Sequence, residues 1–170
     1  MVSTAGRRKD CQRGALDTCG SSIASRAIKV AIQDKPDGNY APFLTNHDQN
    51  RVMSVLNGDV EKAKVAAALL LTAPGTPFIY YGEEIGMTGV KPDEDIRLPM
   101  QWSNEANAGF TSGKPWRAPG SVYPTKNVAA ESTDPYSLLT FYRTLIHLRN
   151  DHAALRVGDY HLVMTDNRAV

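Results

Sequence analysis

Cysteine is scarce in this 170-residue chain, with Cys11 and Cys19 the only two. Seven residues separate them, a spacing that matches neither a CxxC motif nor a zinc-ligand set. Free thiols are therefore expected, in place of a disulfide scaffold or a metal centre. Charge of either sign is not in excess, since 19 Lys and Arg face 18 Asp and Glu for a net charge of +1. That balance argues against a general attraction to nucleic acid or to an anionic membrane. No apolar run reaches the roughly 18 residues of a membrane span. The basic start Arg7-Arg8-Lys9 runs into Asp10 and not into an apolar stretch of the secretory type. A cytoplasmic chain, or one cut from a longer parent, is the expectation. With 42% hydrophobic and 22% charged residues, the composition is that of a soluble globular domain.

Three regions follow from the pattern. Residues 1–20 are polar and lack sustained periodicity, which predicts an irregular N-terminal arm. From Ser22, Ile23, Ala27, Ile28 and Ala31 recur at helical spacing until the turn residues Pro36-Asp37-Gly38-Asn39. Tyr40 to Thr45 is short, apolar and partly aromatic or β-branched, and reads as a strand that opens into the polar run Asn46-His47-Asp48-Gln49-Asn50-Arg51. Val60 to Ala73, rich in Ala and Leu, reads as a mostly buried helix ending at Pro74-Gly75, and Pro77 to Tyr81 as a second strand. Strand, helix, strand makes a βαβ unit with parallel pairing. About 45 residues from Gly86 to Ser132 then show little periodicity, far more than an ordinary connection. Asp134 as N-cap and Pro135 at the first helical position predict a helix whose apolar stripe is Leu138, Phe141, Tyr142, Leu145 and Leu148. Val157 to Met164 alternates as a final strand would, which predicts the first strand of a C-terminal β domain at 156–170.

Phe43-Leu44-Thr45-Asn46-His47-Asp48, with Arg51 beyond it, resembles the last conserved region of the α-amylase family of glycoside hydrolases, at the end of the seventh barrel strand. Gly75-Thr76-Pro77-Phe78-Ile79-Tyr80-Tyr81-Gly82-Glu83-Glu84 resembles that family's eighth strand, and Arg97-Leu98-Pro99-Met100-Gln101-Trp102 its active-site-side loop. The ordered set, covering roughly residues 38–155, is closest to the branch holding oligo-1,6-glucosidases, trehalose synthases and related α-amylases. A complete (β/α)₈ barrel takes about 250 residues. The resemblance therefore implies an α/β fold that is a truncated TIM-type barrel of about two βα units, over residues 21–155. Open sheet edges and an uncovered apolar helix face then predict a homo-oligomer.

The resemblance also implies roles. The family's aspartate matching Asp48 stabilises the oxocarbenium-like transition state, and the histidine matching His47 hydrogen-bonds the sugar. Asn46 and Arg51 would position that pair, the arginine through a carboxylate, on an α-1,4-linked glucan. The family's nucleophile and acid/base lie upstream of the resemblance, and no GxRxDA-like segment is present. A retaining pair needs carboxyl groups about 5–5.5 Å apart and an inverting pair about 6.5–9.5 Å. Glu83 and Glu84, leaving the same sheet edge as Asp48, are the candidate substitutes. Simpler readings stand beside these. Asp48 could merely cap a turn, and Glu84 could be structural. Asp93-Glu94-Asp95 could bind calcium or be solvated; no other cofactor is indicated. His147 and His152 sit where a helix end favours a cation. Trp102, Trp116 and Tyr123 could stack on sugar rings or pin the long loop.

Overall fold

A computed structural model describes residues 41–160, and the helix expected from Ser22, both cysteines, the N-terminal arm and the residues after Tyr160 lie outside them. Residues 41–159 belong to one compact unit. Its helices are α1 (Val52–Val55), α2 (Val60–Thr72), α3 (Asp93–Ile96), α4 (Val128–Thr133), α5 (Leu138–Asp151) and α6 (Ala153–Val157), with 3-10 turns at Glu83–Ile85 and Ala106–Gly109.

The two expected strands meet in a single parallel bridge between Phe43 and Phe78, where the Phe78 N–H donates to the Pro42 carbonyl at 2.8 Å. The parallel direction is as expected, while the ladder is not. Pro42 and Pro77 each remove a donor. Among the described residues no third strand flanks the pair, and an isolated two-stranded parallel sheet is not stable.

Helix α2 starts where Asp59 accepts from the Lys62 N–H at 3.0 Å and stops before Pro74, whose ring disfavours helix in the residue ahead of it. Ala63, Ala67, Leu70 and Leu71 are its buried face, while Val65 and Leu69 are 62% and 45% exposed. The helix is thus buried on one side only. That side packs on α5, joining Met53, Leu138 and Tyr142 in the main core cluster. Burying each such large side chain stabilises by about 1.5–3 kcal/mol. A second cluster gathers Ile85, Met87, Met100 and Leu139 beneath the 3-10 turn.

The cap of α5 differs from expectation. Asp134 lies at the C-terminus of α4 and its Oδ1 accepts from the Tyr136 N–H in a local turn. Ser137 is the N-cap, accepting from the Thr140 N–H at 3.1 Å, and the buried Glu131 carboxylate takes the Leu139 N–H. Two donors at the helix start are satisfied by these side chains. Leu138 and Tyr142 are buried and Phe141 and Leu145 partly so, but Leu148 is exposed and Arg149 takes the buried position beside it. Val157, expected to open a strand, ends helix α6.

Candidate functional site

At the end of the Phe43 bridge the chain turns sharply. The Asn46 Oδ1 accepts from the Asp48 N–H at 2.9 Å and the Gln49 N–H donates to the Asn46 carbonyl, so Asn46 shapes the turn that presents its two neighbours. His47 and Asp48 stand exposed on it, with Nε2 and Oδ2 at 3.3 Å and side-chain exposures of 66% and 61%. The opposite Asp48 oxygen accepts from Arg97 Nη2 at 3.0 Å. Arg97 also donates from Nε to the His47 carbonyl at 2.9 Å and from Nη2 to Asp93 Oδ2 at 2.8 Å. One guanidinium therefore holds backbone and side chain of the same turn. Arg97 was legible in the motif running to Trp102, but nothing in its spacing pointed back 49 residues to Asp48.

Behind the turn lies Arg51, 1% exposed. Its expected carboxylate partner is replaced by carbonyls. Nε donates to Ile96 O at 3.0 Å and Nη1 to Tyr81 O at 2.6 Å, while the guanidinium carbon sits 4.7 and 4.6 Å from the centroids of Tyr80 and Tyr81. Cation–π contact and backbone acceptors offset the cost of burying this charge. Buried to this degree, Arg51 cannot touch a ligand, and it ties the site's two loops together. Gly82 adopts φ +82, and a Cβ there would strike Met87 Sδ and crowd the Arg51 guanidinium, which is why this turn needs glycine.

Glu83 and Glu84 part ways. Glu83 is 3% exposed and accepts from the Tyr142 hydroxyl at 3.1 Å inside the core. Burial pushes its carboxyl up to about 7 and the Tyr142 hydroxyl upward as well. Enclosed there, Glu83 does not serve as a partner for the exposed Asp48, which corrects that expectation. Glu84 is half-buried, with its carboxyl raised mainly by burial. It lines a cavity of about 400 Å³ shared with Arg97, Trp102 and Trp116. Asn46 and His47 also line an apolar groove of about 380 Å³ with Phe43, Phe78 and Ile79.

The acidic run is engaged by cations of the chain, Asp93 by Lys91 and Arg97 and Asp95 by Arg117. Among the described residues no group of three or more His, Cys, Asp or Glu could hold a metal ion, and no helix is long and apolar enough to cross a membrane. His147 and His152 are exposed, the first within α5 and the second at its C-cap. Tyr123 serves through its backbone, its carbonyl accepting from Asn127 Nδ2.

The described residues define an α/β class of protein, two segments in a parallel bridge joined through helix α2, with a histidine–carboxylate pair displayed after the first segment and held by Arg97. Comparison with known proteins narrows that class. The family described as alpha amylase, catalytic domain, matches residues 9–158. The chain belongs to the α-amylase family, and the match reaches further upstream than residue 38. Alpha-amylase 3 of Dictyoglomus thermophilum is 39% identical over 140 residues, covering 81% of this chain and 28% of that protein. An oligo-1,6-glucosidase of Parageobacillus thermoglucosidasius is 36% identical, covering 74% and 30%. Among solved structures, the alpha-amylase from H. orenii is similar at a TM-score of 0.62 with 49% identity, over 70% of this chain and 24% of that one. A trehalulose synthase is similar at 0.65 with 34% identity, over 71% and 29%. The chain spans about 28–30% of the length of these curated relatives, and its solved neighbours are barrel enzymes of the same family.

Proposed function

We propose that this chain, as a part of an α-amylase-like glycoside hydrolase, holds α-1,4-linked glucan at His47 and Asp48 and, with no GxRxDA-like segment among its residues, does not cleave it unaided. The observation that carries this reading is the exposed His47–Asp48 pair, held in place by Arg97 on both its backbone and its carboxylate. A fixed carboxylate accepts from sugar hydroxyls and stabilises positive charge developing at the ring, and a neighbouring imidazole orients that ring. The pair binds and stabilises charge; it does not by itself supply both carboxyl groups of a glycosidic displacement. The relatives' names, alpha-amylases and oligo-1,6-glucosidases, support a glucan substrate without naming the α-1,4 linkage.

A second reading is favoured by Glu84. Its carboxyl is raised by burial, as a general acid requires, and Arg97 borders both its cavity and Asp48. On that reading the chain hydrolyses glucan through Asp48 and Glu84. Reducing-end release from soluble starch separates the two. The purified chain is expected to release none above the blank; release that disappears in both Asp48→Asn and Glu84→Gln would establish the second reading in place of the first.

A further inference from the structure

The turn that ends helix α1 carries a reactive pair of residues. The Asn57 N–H donates to the Ser54 carbonyl at 3.1 Å and the Gly58 N–H to the Met53 carbonyl at 2.9 Å, the two bonds of a Schellman cap. Both residues take positive φ, +56 for Asn57 and +77 for Gly58, a conformation that glycine adopts freely and asparagine more readily than most. Both are exposed. A Cβ at Gly58 would meet nothing within 4 Å, so the surroundings are open to water.

Asn57-Gly58 is the only asparagine–glycine pair in the sequence. The main-chain nitrogen that follows an asparagine can attack the asparagine's own Cγ, and a following glycine, with no side chain, leaves that approach unhindered. The side-chain amides of Asn46, Asn50, Asn107 and Asn127 are each engaged by a hydrogen bond. That of Asn57 has no partner among the described residues. What holds the attack back is the cap itself. While the Gly58 N–H is bonded to Met53, its nitrogen keeps its proton and Asn57 stays in the left-handed region. Only the opened turn lets nitrogen and Cγ meet, and a helix of four residues opens locally without the rest of the unit unfolding.

We propose that Asn57 is a site of spontaneous conversion to aspartate and isoaspartate, paced by the opening of the α1 cap. The Gly58 nitrogen gives up its proton to solvent base and bonds to Asn57 Cγ, the Cγ–Nδ2 bond breaks, and the amide leaves as ammonia. Water then opens the five-membered imide. Addition at Cγ breaks the new bond and leaves aspartate, whereas addition at the main-chain carbonyl carbon breaks the original peptide bond and leaves isoaspartate. One water is consumed, one ammonia is released, and nothing is oxidised or reduced. Aspartate preserves the main chain and tolerates left-handed φ, so the cap re-forms with a new charge two residues before α2 begins. Isoaspartate lengthens the main chain by one carbon, and the Gly58 N–H loses its register with Met53.

The folded chain, incubated at mildly alkaline pH in heavy-oxygen water and then digested, is read by mass spectrometry, with isoaspartate counted by isoaspartyl methyltransferase labelling. The peptide holding Asn57 is expected to gain a labelled carboxyl before the peptides of the other asparagines. Unfolding in guanidinium chloride is expected to speed that gain roughly tenfold, as release of a hydrogen-bonded turn allows. Asn57→Gly, which places the residue most favoured at this cap position, is expected to fold and to lose the label. Labelling at Asn57 no sooner than at Asn107 would overturn the site. Equal rates in the folded and the unfolded chain would overturn its pacing by the cap.

Discussion

Glu83 and Glu84 are neighbours in sequence with opposite fates, because in a 3-10 turn successive side chains diverge by about 120°. One enters the core against Tyr142 and the other borders the aromatic cleft. Burial raises the Glu83 carboxyl from 4.5 to about 7, so the folded state binds that proton more tightly than the unfolded chain does. The stabilisation is fully present below pH 4.5 and is lost as pH rises through about 7, a change on the order of 3 kcal/mol. Urea midpoints measured from pH 4.5 to 8 are expected to fall with rising pH, and the Glu83→Gln variant, whose side chain carries no titrating proton, is expected to make that slope shallower, Glu84 and Glu131, also raised by burial, supplying the rest. A wild-type midpoint that does not move between pH 5 and 8 would contradict this account of Glu83.

At the scale of elements, the unit depends on what happens at helix ends. Arg149 is 8% exposed near the end of α5, and it donates to the carbonyls of Leu71 at 2.8 Å, Ala73 at 2.9 Å and Gly75 at 2.6 Å. It thereby caps α2 and fixes the chain leaving it, a cation placed at the negative end of a helix. Charged hydrogen bonds lost together leave buried acceptors unpaired, so Arg149→Ala is expected to cost about 3 kcal/mol in urea unfolding. Arg149→Lys should recover only part of that, because an ammonium lacks the planar fork. A loss below about 1 kcal/mol would show that the cap does not matter. Helix α2 was legible in the sequence because Val60 to Ala73 is rich in Ala and Leu and ends at Pro74-Gly75, helix α5 because its apolar residues recur at 3.6-residue spacing, and the parallel direction of Phe43 and Phe78 because a helix joins them. The cap at Ser137 was not, since Asp134-Pro135 carries the stronger local signal and only the Glu131 carboxylate, eight residues upstream of Leu139, decides against it. The strand ladder was over-read for a related reason. Local composition favours strands, but a parallel ladder needs neighbours on both sides.

For the whole molecule, the family was legible because Asn46-His47-Asp48, Gly82-Glu83-Glu84 and Arg97 to Trp102 keep their order. Which of these groups meet was not, because Arg97 reaches Asp48 and Arg51 reaches Tyr81 and Ile96 across turns with no periodic signal. The groove bounded by Phe43, Phe78 and Ile79 leaves Phe43 45% and Phe78 58% exposed. We propose that a second copy of the chain covers these rings. Size-exclusion chromatography at micromolar concentration is then expected to show a species larger than a monomer that Phe78→Lys returns to monomer size; a wild-type monomer would exclude it. The central claim remains that His47 and Asp48 hold glucan. Calorimetric titration of the chain with maltoheptaose, alongside Asp48→Asn, tests it most directly. Removing the charge while keeping the shape is expected to raise the Kd about tenfold, as loss of a charge-assisted hydrogen bond does, whereas equal Kd values for the two proteins would contradict the claim.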